Sequence, residues 1–280
     1  MAIRAIVNAD DFGWSVGVTD GILLAHRQGL VTSTTLAVNM PDAPRAIQLA
    51  RDLPSLGVGV HLNACQGTPL SAEGRAVLAD DDGVMRLKAD DVIRRCLKKR
   101  SMVAAVLAEF EAQIRQVLVR GLHPTHLDSH RHVHAWPPIL AGVVELAHKY
   151  GIRFLRRPAE RLEKGFPKPP RKQARTAALL RMLDFLAPKK ARPLQVSRGT
   201  WGIAHTGLID RAWLILAGER LRDGLTEIMV HPGFSKDLDG EQTRLIASRQ
   251  AELEALCDGA VKAAWLAANV ERVHYGQIGS

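Results

Sequence analysis

Cysteine is scarce in this 280-residue chain: Cys65, Cys96 and Cys257 are odd in number, widely spaced and free of any CxxC pattern. That excludes a disulfide framework and a thiolate zinc site, and leaves core thiols as the expectation. Long apolar runs are missing too. No stretch approaches the ~18 apolar residues of a membrane span, and the segment Met1 to Asp10 meets charge before a signal-peptide apolar region is complete. The expected location is the cytoplasm. Acidic residues are few between Arg161 and Arg192, where much of the formal net charge of +9 resides. No zinc finger or RNP-like aromatic motif accompanies that excess, so no nucleic-acid partner is expected. An anionic substrate and a membrane surface remain open as partners of the basic segment.

What is present is material for an ordinary core. With 46% hydrophobic and 24% charged residues, disorder is excluded for most of the chain, and the length suits one large α/β domain over 1–280. Apolar, β-prone runs recur at Ile3 to Asn8, Thr34 to Asn39, Val58 to Leu62, Thr125 to His130, Ile152 to Arg156 and Glu227 to His231. Each ends in polar or ionisable residues. Between them the spacing predicts helices, most clearly Val103 to Val119 with Ser101 as its N-cap, and two more at Ile209 to Arg222 and Gln242 to Cys257. Strands alternating with helices predict a distorted (β/α) barrel of mainly parallel strands, with chemistry at the carboxyl ends of the strands. Two stretches interrupt it, at about 66–100 and 160–195; the second is an irregular basic insertion with a short amphipathic helix around Leu179 to Leu186.

Four strand ends carry groups able to do chemistry. Asn8-Ala9-Asp10-Asp11-Phe12-Gly13 places two carboxylates side by side, an arrangement relieved by a cation or a shared proton. In the run from His126 to His134, the residues His126, Asp128, His130, His132 and His134 share a parity, so an extended chain would point all five to one face. Imidazoles with a carboxylate in reach suit zinc and similar divalent ions. Val58 to His61 and Glu227 to His231 each deliver one more histidine to a strand end.

These motifs together resemble the YdjC-like carbohydrate deacetylases, a family that includes chitooligosaccharide deacetylases and a hopanoid-biosynthesis deacetylase. The matching pieces are NADDFG at Asn8 to Gly13, GLVTSTTLAVNMP at Gly29 to Pro41, GVGVHL at Gly57 to Leu62, THLDSHRHVH at Thr125 to His134 and VHPG at Val230 to Gly233. The resemblance implies hydrolysis of the acetamide of an N-acetylhexosamine with one divalent metal ion, magnesium or zinc. It assigns Asp11, His61 and His130 as metal ligands, Asp10 as general base and His231 as proton donor. Arg156, in an Arg-x-Pro-x-Glu element, is expected to support the site carboxylates, with Asp128, His132 and His134 as supporting or substrate-contacting groups. Arg131 departs from the family by standing where many members carry a histidine. The substrate expected is an N-acetylated sugar, soluble or lipid-linked. The residues of 161–192 leave three roles open for that stretch: a lid, a peripheral contact at the inner membrane surface, or a plain insertion.

Two other classes fit the same residues. Two histidines and a carboxylate are also the facial triad of non-haem iron oxygenases, but that triad favours a β-sandwich type of scaffold, and this chain alternates βα. A non-catalytic, metal-stabilised sugar-binding protein is the other, although such a site needs no spare base beside its ligand.

Overall fold

The computed structural model describes residues 2–161, 164–238, 240 and 243–279. Among the described residues ten strands run in chain order: β1 (Ile3–Phe12), β2 (Ser33–Leu36), β3 (Gly57–Leu62), β4 (Gln66–Gly67), β5 (Met85–Arg86), β6 (His126–Ser129), β7 (Phe154–Leu155), β8 (Thr200–Trp201), β9 (Gly224–Val230) and β10 (Glu271–Arg272). The main sheet has the order β7-β6-β3-β2-β1-β9-β8, with β10 joined to β1. Every ladder in it is parallel. Among the described residues β7 and β8 do not pair with each other, so the barrel is open along that seam. Helices alternate with the strands along the chain, as expected.

The central strands are buried on both faces, which is why they read as near-continuous apolar runs rather than alternating ones. Ala5, Val7, Ala9, Val60, Leu127 and Ile228 are fully buried among them. The helix predicted over 103–119 begins earlier, at Arg100, and Lys99 rather than Ser101 occupies the N-cap; Ser101 lies inside the first turn. Its apolar stripe, including Val106, Phe110, Ile114 and Val117, is buried as the spacing predicts. The helix Arg211–Arg220 is shorter than the expected 209–222 because Asp210 caps it by accepting from the Trp213 N–H. The helix expected from Gln242 begins at Ala247; Gln242 itself lies outside the described residues. In the basic insertion the helix is longer than expected, Arg171–Phe185, while Glu163 and Leu162 lie outside the described residues.

The stretch 66–100 carries the antiparallel β4–β5 pair and two short helices, Ala72–Leu78 and Ala89–Lys98. Two buried polar groups on the outer helix fix its start. Gln113 exchanges hydrogen bonds with the Asn63 backbone, and Glu109 accepts from the Leu70 and Ser71 N–H groups. Cys65 and Cys96 are buried free thiols, as expected; Cys257 is half-buried. Among the described residues no helix is long and apolar enough to cross a membrane.

Candidate metal centre

Parallel strands deliver their carboxyl ends to one rim, and five of them meet there: β1 brings Asp10 and Asp11, β3 His61, β6 Asp128, and the residues after β7 and β9 bring Arg156 and His231. In a regular strand Asp10 and Asp11 would point to opposite faces. The register with β2 shifts between Ala9 and Phe12, and Asp11 adopts φ 72°. This left-handed residue breaks the alternation, at a cost of about 1–3 kcal/mol, and turns both carboxylates into one site.

Asp11 Oδ1 lies 3.4 Å from His61 Nε2 and 3.4 Å from His130 Nδ1. It is buried with no hydrogen-bond partner. One donor atom from each of the three residues lies within 4.8 Å of the others. Each ring is aimed from behind: His61 Nδ1 binds Asp128 Oδ1 at 2.7 Å, and His130 Nε2 meets Gln66 Oε1 at 3.2 Å. Thr35 donates to Asp128 Oδ2 at 3.0 Å. A carboxylate behind a histidine and an orphaned oxygen before it are what a divalent cation needs, so the residues fit such an ion. Asp10, His61 and Asp128 form a second triplet of the same compactness. There, however, both carboxylates are already held by Arg156, which leaves the Asp11 triplet as the better cradle.

Arg156 is fully buried and binds three carboxylates: Asp10 through both oxygens at 2.6 and 2.7 Å, Asp128 at 2.8 Å and Glu227 at 2.8 Å. Tyr275 and Thr200 complete Glu227. A second guanidinium, Arg249, donates to Asp11 Oδ2 at 2.5 Å. Four buried carboxylates thus face two guanidiniums, a shortfall of positive charge that a divalent ion would fill. Without an ion the site recruits a proton. Burial disfavours a charged His61, but Asp128, Asp11 and Asp10 together outweigh it and push its pKa up to about 10. Burial likewise opposes ionisation of Asp11, yet Arg249 and the two imidazoles hold it well below the usual carboxylate range.

His231 Nε2 stands 4.0 Å from Asp10 Oδ2. Burial lowers its pKa to about 4 against the pull of Asp10 and Asp11, so its resting form is neutral. Its backbone N–H is held by Glu252 Oε2 at 2.6 Å. Glu252 itself is pushed up to about 7 by burial, despite that bond.

The run 126–134 does not stay extended. β6 ends at Ser129, and residues 130–135 wind into a 3-10 turn in which Arg131 and His132 have φ of 54° and 56°. The shared parity therefore fails beyond Asp128, because a chain that turns no longer alternates faces. His126 lies deeper, stacked on Tyr275 and bonded to Asn8 Oδ1, and burial drives its pKa down to about 3. Gly59 makes room for it: a Cβ there would meet the His126 ring at 2.6 Å. His134 is fully buried between Ser129 Oγ and the Arg156 carbonyl, so it braces the turn. His132 keeps Nδ1 buried without a partner, and burial holds its pKa well below the ordinary value. Arg249, Glu227, Glu252, Thr35 and Gln66 were not singled out from the sequence. Thr35 lies within a matching motif, but Arg249 and Glu252 sit on an ordinary-looking helix that offers no local signal.

An α/β barrel with a buried carboxylate–histidine centre at the carboxyl rim of its strands is the class of protein these observations define. The chain belongs to the YdjC-like protein family, whose model matches residues 4–267. It is 34% identical to a carbohydrate deacetylase of Halalkalibacterium halodurans, over 91% of this chain and 95% of that protein. A carbohydrate deacetylase of Oceanobacillus iheyensis is 32% identical, over 91% of this chain and 96% of that one. Among solved structures, a candidate cellobiose-phosphate cleavage protein of Enterococcus faecalis V583 matches with TM-score 0.77 at 25% identity, covering 100% of both chains.

Proposed function

We propose that this chain is a metal-dependent carbohydrate deacetylase that hydrolyses the acetamide of an N-acetylhexosamine unit, the whole of 1–280 serving as one catalytic domain. The observation that carries the reading is the orphaned Asp11 Oδ1 facing His61 and His130, in a chain whose relatives along nearly its full length are named carbohydrate deacetylases. Asp11, His61 and His130 would hold zinc or magnesium, which when bound polarises the amide carbonyl and acidifies water.

The other residues divide the proton work. Arg156 and Asn8 orient Asp10, with Asn8 and one Arg156 nitrogen on Oδ1, so Oδ2 retains a lone pair on the side of His231. Asp10 takes the proton of the attacking water there. His231, neutral at rest, must receive its proton within the turnover before giving it to the departing amine. Asp10, 4.0 Å away, is the neighbour that then holds one. Asp128 and Thr35 keep His61 Nε2 directed at Asp11, and we assign the sugar contact to His132, on the turn that carries His130.

The test is acetate release from N,N′-diacetylchitobiose before and after chelation, with zinc or magnesium restored separately. Activity lost on chelation and regained with one of the ions is expected. Undiminished turnover in the chelated protein would overturn the metal role, and no acetate under any condition would overturn the substrate class.

A further inference from the structure

The basic insertion carries an outward face that neither the barrel nor the metal centre uses. Its helix, Arg171–Phe185, packs inward through Ala177 and Leu180 onto Ala135, Ile203, Ala204 and Met229. Those contacts set it on the rim of the site, beside His134 and two residues before His231. Its opposite side leaves Leu179 50%, Met182 53%, Phe185 84% and Leu186 57% exposed. Other exposed large hydrophobics, such as Leu97, Val119 and Leu266, are scattered singly, whereas these four fall within eight consecutive residues.

At 3.6 residues per turn, Arg171, Lys172 and Arg175 share the outward face with the four apolar side chains, one turn or two closer to the helix start. Lys189, Lys190 and Arg192 follow directly after it. The one described carboxylate of the segment, Asp184, is already bound by Arg157 and Arg192. We propose that this face docks on an anionic lipid bilayer, its cations meeting headgroup phosphates and its apolar residues entering the acyl boundary. Charge complementarity selects that occupant. A second copy of the chain would bring the same cations against one another, and water offers nothing to four adjoining apolar side chains. Because the helix packs beside the turn that carries His130, docking holds the site close to sugars borne at the membrane surface; this consequence rests on the deacetylase reading, the docking itself does not.

The full chain is sedimented with phosphatidylcholine vesicles and with vesicles containing about one-third phosphatidylglycerol. Binding at least about tenfold stronger to the anionic vesicles, and weakened by salt, is expected. Phe185→Glu with Met182→Glu should reduce it about tenfold while leaving the melting temperature and acetate release from diacetylchitobiose unchanged. Should that pair fail to fold, Arg171→Gln with Lys172→Gln and Arg175→Gln tests the cationic half separately and should give a loss of similar size. Equal pelleting with both vesicles, or none with either, overturns the proposal. So does a concentration-dependent dimer on gel filtration that Phe185→Glu dissolves, which would make a second copy the occupant. Vesicle binding by a protein inactive on every acetylated sugar would uphold the docking and strike the deacetylase reading alone.

Discussion

Two concentrations of charge in this molecule obey opposite rules. At the strand ends Asp10, Asp11, Asp128, Glu227, Arg156 and Arg249 are buried and bound to one another, so each group's state depends on all the rest. Along 164–192 the cations are mostly exposed and, apart from the pairs at Asp184 and Glu145, have little of the chain's own charge to answer them. Where charge is buried, sequence changes are felt at once as stability and chemistry. Where it is exposed, they matter only when a partner arrives.

The contrast can be pushed hardest at the proposed metal ligands. Asp11→Ala should abolish metal uptake, measured by isothermal titration with zinc, and cut acetate release on the order of 10⁴-fold, the several kcal/mol that a bound ion supplies. Asp10→Asn removes the proposed base but none of the proposed ligands. It should lower kcat by about 10²–10⁴ with metal content unchanged, and a variant of normal rate would sink the assigned role. Arg156→Met leaves three buried carboxylates short of their common partner and should destabilise the fold by about 3–5 kcal/mol in urea titration.

A pH effect separates the metal-free from the loaded form. The His61 pKa is raised from its ordinary 6.5 to about 10, so the stability it contributes is fully present below pH 6.5 and is lost as pH rises toward 10. Denaturation of the metal-free protein should show that decline, and zinc should remove it by displacing the proton; a flat profile without metal would contradict the charge account. At the other extreme, Lys172→Ala or Arg175→Ala should change stability by less than about 0.5 kcal/mol and leave turnover of a soluble sugar untouched. A larger loss would show that the basic helix is part of the structural framework after all.

Much of the site was legible because barrel chemistry collects where apolar strands stop. NADDFG, GVGVHL and VHPG each show an apolar run ending in Asp or His, and the structure brings those residues together. The histidine-rich run was legible only as far as Asp128. Its parity held while the strand lasted, and no residue type announced that Arg131 and His132 would take left-handed conformations. Ser101 was a plausible cap that lost to an earlier helix start, since capping preference shifts a boundary by little against tertiary packing. Two-residue strands such as β8 and β10 carried no periodicity to read.

What the sequence by itself determined is the alternation of strands and helices, the family, and the identity of the residues that reach the rim, because apolar period and local motif are written within short stretches of chain. The tertiary structure alone decided how those groups are charged and aimed. Arg249 reaches Asp11 across 238 positions and Arg156 reaches Asp10 across 146. Such pairings depend on burial and on which strand lies beside which, and electrostatic compensation in a dry site has no local signature.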